Sequence, residues 1–383
     1  MRRDASRARS LADDNLVCLS PAIYIRDDAQ LGGVTPSRVQ PGRPDECHPP
    51  RRLAFSSKDS ASVPRSRRAA VVIRTMIWPG GKRFAFTIFD DTDGATLDSV
   101  RPVYDFLGEL GLRTTKTVWP LRGAGKPVTG GATLEDHDYR DWILSLRAEG
   151  FEIASHGTSD QSSPRARILA GFDRFREVVG ADPRAYANHT GQKEAIYWGA
   201  ARLDGGPRAV YRLANRWRSE DRRYFGEDQR SDYFWGDLCA SRLTYVRNLV
   251  FPDIDTTSRD PIMPYHDPGR PFVPYWFSSS EGATCDSFCR TIAEGEQDRL
   301  VGSGGACVMY THFAFRFLSG GKLDPLFVRL MRRLAAHDGW FVPVSTLLDH
   351  LRTQGSRGRQ ADTGALRGMQ WRWLAGKLLH GTS

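Results

Sequence analysis

Apolar positions along this chain switch repeatedly between a period of two and a period near 3.6. Residues 83–89, RFAFTIF, alternate and are rich in β-formers, which predicts a strand. Residues 97–110 place Val100, Val103, Tyr104, Phe106, Leu107 and Leu110 at helical spacing and stop at Gly111, a residue suited to the left-handed turn after a helix. The same reading predicts a strand at 113–119, a helix at 139–148 ending in Gly150, and a strand at 151–155. A helix at 164–179 ending in Gly180 and a short strand at 185–188 follow. Between about 200 and 280 the rhythm weakens and Arg, Tyr and Trp become frequent; two further strands are expected near 243–251 and 275–278, with long loops. The rhythm then resumes: helix 285–300, strand 306–311, helix 324–337 stopped by Gly339, strand 340–343 and helix 344–351. Strands and helices that alternate with short connections predict an α/β fold with parallel strands, open or closed into a barrel. Such folds place their chemistry at the C-terminal ends of the strands.

The two ends of the chain have another character. Residues 1–75 are rich in Arg, Ser, Pro and Asp without periodicity, and are expected to be disordered. Met76 directly precedes the first patterned segment, so it is the expected start of translation; a peptide detected from within 1–70 would refute this. Residues 76–351 form the expected catalytic domain, and 352–383 a linker followed by an amphipathic helix at 365–379. That helix carries Leu366, Met369, Trp373 and Leu374 at helical spacing, with Arg367, Arg372 and Lys377 elsewhere, as a helix docked on the domain or lying at an interface would.

Charge follows the same division. The net charge of +9 comes from the ends: +6 in residues 1–75, +5 in 352–383 and −2 between them. A near-neutral middle argues against a nucleic-acid groove. Six cysteines without a C-x-x-C pair point to reduced thiols and a cytoplasmic location. No apolar run is long enough to span a membrane, and Asp13, Asp14 and Asn15 interrupt the place where a signal peptide would be apolar.

The candidate chemistry lies after the strands. The first strand ends in Asp90-Asp91-Thr92-Asp93, the second in Trp119-Pro120, and the third in Ser155-His156-Gly157-Thr158-Ser159-Asp160. The next ends in Asn188-His189, and the strand ACVMYT ends in His312. Such a mixed oxygen and nitrogen set suits a divalent metal such as zinc.

On these residues the chain resembles the polysaccharide deacetylase family, the NodB-homology fold of carbohydrate esterase family four. Thr87-Ile88-Phe89-Asp90-Asp91 matches its strand-Asp-Asp motif, and Met309-Tyr310-Thr311-His312 its strand ending in His. His156 matches the first His of its His-(Ser/Thr)-x-x-His motif, with Asp160 where the second would stand. Gly339-Trp340-Phe341-Val342-Pro343 is similar to its terminal strand. The resemblance spans about 82–351 and implies a distorted (β/α) barrel of roughly seven parallel strands. It implies Asp90 as general base, His312 as general acid, and a zinc or similar divalent ion on Asp91, His156 and either Asp160 or His189. The implied reaction is removal of acetyl groups from an N-acetylated sugar or polysaccharide. Trp119, Tyr275 and Trp276 are candidate walls for the sugar.

Two rivals remain. Asp91-Thr92-Asp93-Gly94 is close to the D-x-D-G-T loop of haloacid-dehalogenase-type phosphatases, with Asp91 as nucleophile and Asp93 as acid and base, although Ala95 puts the motif out of register. The missing second His also admits a carbohydrate-binding member without catalysis.

Overall fold

The structure, a computed structural model, describes residues 76–215, 224–354 and 360–380. The expectations for residues 1–75, and those for 355–359 of the linker, lie outside the described residues. Seven parallel strands run in chain order around a closed barrel: β1 (Phe84–Asp90), β2 (Thr115–Val118), β3 (Glu152–Ser155), β4 (Ala185–Tyr186), β5 (Tyr245–Phe251), β6 (Tyr275–Ser280) and β7 (Ala306–Thr311). The barrel closes where β7 pairs with β1 from Ala85↔Ala306 to Asp90↔Thr311. Between the strands run α1 (Leu97–Glu109), α2 (His137–Ala148), α3 (Arg165–Val179), α4 (Gly205–Ala214), α5 (Gly236–Arg242), α6 (Thr256–Arg259), α7 (Cys285–Thr291) and α8 (Glu294–Ser303). After β7 come a hairpin of β8 (Leu318–Ser319) and β9 (Lys322–Leu323), then α9 (Pro325–Ala335), β10 (Gly339–Phe341), α10 (Val344–Arg352) and α11 (Thr363–His380).

Local chemistry sets the helix ends. Thr96 accepts a hydrogen bond from Ser99 N–H while the Ser99 hydroxyl accepts from Thr96 N–H, a reciprocal cap that starts α1. Gly180 ends α3 at φ 86°, a conformation open to glycine at little cost. The helix expected over 285–300 is in fact two. Ile292 is fully buried, Thr291 donates its hydroxyl to Glu281 O, and Ala293 turns extended to start α8.

Strand parity divides the core. Phe84, Phe86 and Ile88 of β1 face outward and pack with Val100, Val103, Tyr104 and Leu107 of α1. Ala85 and Phe89 point the other way, into a second cluster with Phe277 and Val308. Strands buried on both faces read as largely apolar runs, which is why β1 and β7 stood out in the sequence, whereas β5 is interrupted by Arg247 and Asn248.

The barrel is distorted in two places. β10 pairs with the N-terminal half of β1, while β2 reaches only Phe89 and Asp90. β6 and β7 share a single register pair, Ser280↔Met309. Beside it the connection after β5 supplies what a strand would: Thr256 Oγ1 accepts from Val308 N–H at 2.9 Å and Thr257 Oγ1 from Ala306 N–H at 3.1 Å. Removing the Thr256 acceptor leaves a buried N–H unpaired. Thr256→Val is therefore expected to destabilise the fold by about 1–3 kcal/mol in denaturant unfolding, with faster exchange at the Val308 amide.

Candidate active site

Asp90 and Asp91 are neighbours in sequence and point to opposite sides of the barrel wall. Asp90 faces the helix layer, fully buried. It accepts from the Tyr104 hydroxyl at 3.0 Å and from Phe313 N–H at 2.8 Å, and its Oδ2 stands 2.8 Å from Lys116 Nζ. Burial alone would lower the Lys116 pKa; the Asp90 carboxylate reverses this and holds the ammonium charged. Asp90 ties β1 to β2, α1 and the segment after β7. The expectation that it stands at the site as general base is corrected by strand parity.

Asp91 faces inward. Its backbone N–H continues the ladder to Thr311 O at 2.8 Å, and its two oxygens receive Arg247 of β5 at 3.0 and 2.5 Å. The guanidinium lies over Tyr310 and Phe89, 4.2 and 5.3 Å from the ring centroids. Asp91 Oδ2 is 3.8 Å from His156 Nε2.

The point of convergence is Asp93. Its Oδ1 is 3.0 Å from His189 Nε2 and 3.6 Å from His156 Nε2, and its Oδ2 is 3.1 Å from His312 Nε2. Asp93, His156 and His189 bring one ligand atom each to within 4.8 Å of one another. Asp93 Oδ1, both His156 ring nitrogens and His189 Nδ1 are buried without a hydrogen-bond partner. Unspent donors of this kind, one carboxylate and two imidazoles, fit a zinc-like ion. Trp119 backs them, its ring nearly parallel to His156 and its Nε1–H donated to His156 O at 3.1 Å.

A relay of loops positions Asp93. Gly94 takes φ 66°, and its N–H donates to Gly130 O at 2.9 Å. Asp160, expected as a metal ligand, holds that loop instead. Its Oδ2 accepts from Val128 N–H at 2.8 Å and Gly130 N–H at 3.2 Å. The helical turn that would have aimed Asp160 back at His156 does not form, because 156–163 is irregular, with bends at 158–161. Asp91 is likewise outside the group of possible ligands, and Asp93, read from sequence as the phosphatase acid, takes its place. The signal for it in the sequence was the Asp91-x-Asp93 spacing.

His312 donates Nδ1–H to Ala283 O at 2.9 Å and faces a carboxylate with Nε2. With Nδ1–H spent on Ala283 O, a hydrogen bond from Nε2 to Asp93 needs a second proton on the ring. Burial would lower the His312 pKa, and the hydrogen bond to Asp93 overrides it and raises it. His189 is raised in the same way against its own burial. Burial pushes Asp93 up, but the neighbouring His189 and His156 charges hold it well below the usual carboxylate range. None of the candidate sugar walls offers an open face at the site: Trp119 is buried behind the histidines, Trp276 is buried, and Tyr275 lies under Arg352 at the far end of β6. A second group, Cys285, Cys289 and Asp324, also brings ligand atoms together, but Asp324 Oδ1 caps α9 by accepting from Phe327 N–H. The four described cysteines are free buried thiols.

No family model and no curated protein matches this chain. Among solved structures it is similar to a protein described as a polysaccharide deacetylase from Mycobacterium smegmatis, at 15% identity and TM-score 0.43 over 76% of this chain and 96% of that one. It is similar to Puue allantoinase, at 13% identity and TM-score 0.42 over 73% and 93%. A family 4 acetyl xylan esterase from Clostridium thermocellum, solved with a cobalt ion, is similar at 11% identity and TM-score 0.34 over 73% and 98%. Likeness at this level assigns no activity, and the chemistry rests on the residues themselves.

Lys116→Met leaves the buried Asp90 carboxylate without its cation and is expected to cost about 3–5 kcal/mol in denaturant unfolding; Asp90→Asn with Lys116→Met, which keeps partners for Phe313 N–H and the Tyr104 hydroxyl, should recover most of it. In chelator the protein should respond to pH through its raised imidazoles. Their stabilisation is complete below the unfolded histidine value and is lost as pH rises through the raised folded values. Thermal unfolding in chelator should therefore show Tm falling as pH rises from about 6.5. A flat profile there would contradict the imidazole–Asp93 pairing.

Proposed function

We propose that this chain is a metal-dependent hydrolase that removes acetyl groups from an N-acetylated sugar or polysaccharide. The observation that carries the reading is the set of unspent ligand atoms on Asp93, His156 and His189, with Asp91 and His312 against it. A divalent ion held by these three residues would supply Lewis-acid polarisation of a carbonyl and acidify a water.

The chain's own residues divide the remaining work. Asp91 takes the proton of the water that attacks the acetamido carbonyl. Arg247 occupies one lone pair on each Asp91 oxygen and fixes the carboxylate, leaving others to accept that proton. His312, charged at Nε2, gives its proton to the amine nitrogen as the carbon–nitrogen bond breaks. Acetic acid, which ionises to acetate, and a free amine result, with Asp91 protonated and His312 neutral; return of the Asp91 proton to His312 resets the site. Phe315, half-buried with its ring 4.8 Å from His312, is the aromatic face placed to receive a sugar ring.

The phosphatase reading is disfavoured. It gives the three histidines around Asp93 no task. The binding-only reading arose from the missing second His, and His189 removes that motive.

In metal analysis by mass spectrometry, Asp93→Ala and His189→Ala are expected to lose the bound ion and Asp160→Ala to keep it. Asp91→Asn should keep the ion and lose about 10²–10⁴-fold in acetate release from N-acetylglucosamine oligomers. Robust turnover of p-nitrophenyl phosphate with magnesium, or full metal content without acetate release from any N-acetylated sugar, would refute the reading.

A further inference from the structure

Large apolar side chains exposed on the described surface are concentrated on two helices. Of nine, five belong to α4 and α11: Val210, Leu213, Trp371, Leu378 and Leu379, the last 78% exposed. Gly206, Val210 and Leu213 recur at i, i+4 and i+7 and so form one stripe on α4; Trp371, Ala375 and Leu378 do the same on α11. The two helices are joined where the stripes begin. A Cβ added to Gly206 would stand 2.9 Å from the Trp371 ring, and Tyr211 meets Trp373 at 5.9 Å.

The inner side of the pair is fixed to the barrel. Gln370 accepts from Asp204 N–H at 2.8 Å, and Arg202 is sandwiched between Trp198 and Trp373, 4.1 and 4.5 Å from the rings. Met369, Trp373 and Leu374 are buried. Trp371 and Leu378 are thus held outward on a rigid base.

Charge identifies what would cover the stripes. α4 carries Arg208 and Arg212 and α11 the exposed Arg367 and Arg372, with Lys377 buried against Trp373, and neither helix contains an Asp or Glu. Exposed Trp and Leu flanked only by cations are the composition of a surface that inserts shallowly among anionic lipid headgroups. A second copy of the same face would bring like charges together. No helix among the described residues is long and apolar enough to cross a membrane, so attachment would be peripheral.

We propose that the outer face of α4 and α11 docks on an anionic lipid bilayer. Leu213, Trp371 and Leu378 enter the headgroup layer, and Arg212 and Arg367 meet its charge. This places a deacetylase beside a membrane-borne substrate if the proposed function holds, but the docking does not depend on it.

The test is flotation of the full chain with phosphatidylcholine vesicles with and without phosphatidylglycerol. Binding should require phosphatidylglycerol and fall as salt rises. Arg212→Glu should weaken it by about fivefold or more, and Leu213→Glu with Leu378→Glu should abolish it at unchanged metal content and circular dichroism. Brominated lipid should quench tryptophan emission in the wild-type protein and less in Trp371→Phe. Absence of binding at low salt, equal binding to neutral vesicles, or binding retained by the double variant would overturn the proposal. So would a dimer in sedimentation that the double variant dissolves without any vesicle binding, which would make this face a contact between copies.

Discussion

Consecutive residues of a strand face opposite ways, and the arrangement of this site depends on that constraint at the end of β1. Asp90 and Asp91 carry the same side chain and meet different surroundings. One faces the helices and is matched by Lys116; the other faces the lumen and is matched by Arg247. Both charges are buried, and each would be costly without its partner. Neither cation can be exchanged between them, because Lys116 lies on the outer face of β2 and Arg247 on the inner face of β5. With both carboxylates committed, the chain carries a third, Asp93, over the rim to the histidines.

The loops at the rim then determine geometry. Asp160 holds Val128 and Gly130, Gly130 holds Gly94, and Gly94 turns the backbone so that Asp93 meets His156, His189 and His312. A carboxylate expected to bind metal thus acts two steps away, through backbone hydrogen bonds. Function in such a site depends on residues that never approach the reacting atoms, since a ligand must be fixed within a fraction of an ångström.

How much the sequence disclosed depended on which forces were local. β1 and β7 are legible because both their faces are buried, and the ends of α1 and α3 because Gly111 and Gly180 mark them. The break at Ile292 and Ala293 was hidden, since it depends on a buried side chain and a hydrogen bond to Glu281 from another element. The insertion of Thr256 and Thr257 beside β7 was hidden for the same reason. In the site, His156, His189 and His312 were legible as strand-end residues. The role of Asp93 was obscured because the Asp90-Asp91 pair was read as one unit, where parity makes it two. The place of Asp160 was obscured because i+4 reach presumes a helical turn, and the segment from 156 to 163 is irregular instead.

The central claim is that Asp93, with two imidazoles, forms the metal centre while Asp90 and Asp91 are held by cations. X-ray absorption at the zinc edge on protein loaded with one equivalent tests it most directly. The account predicts a first shell of nitrogen and oxygen at about 2.0–2.1 Å with the scattering pattern of two imidazoles, and loss of that pattern in Asp93→Ala. A sulfur shell at about 2.3 Å, as Cys285 and Cys289 would give, or an unchanged spectrum in Asp93→Ala, would contradict it.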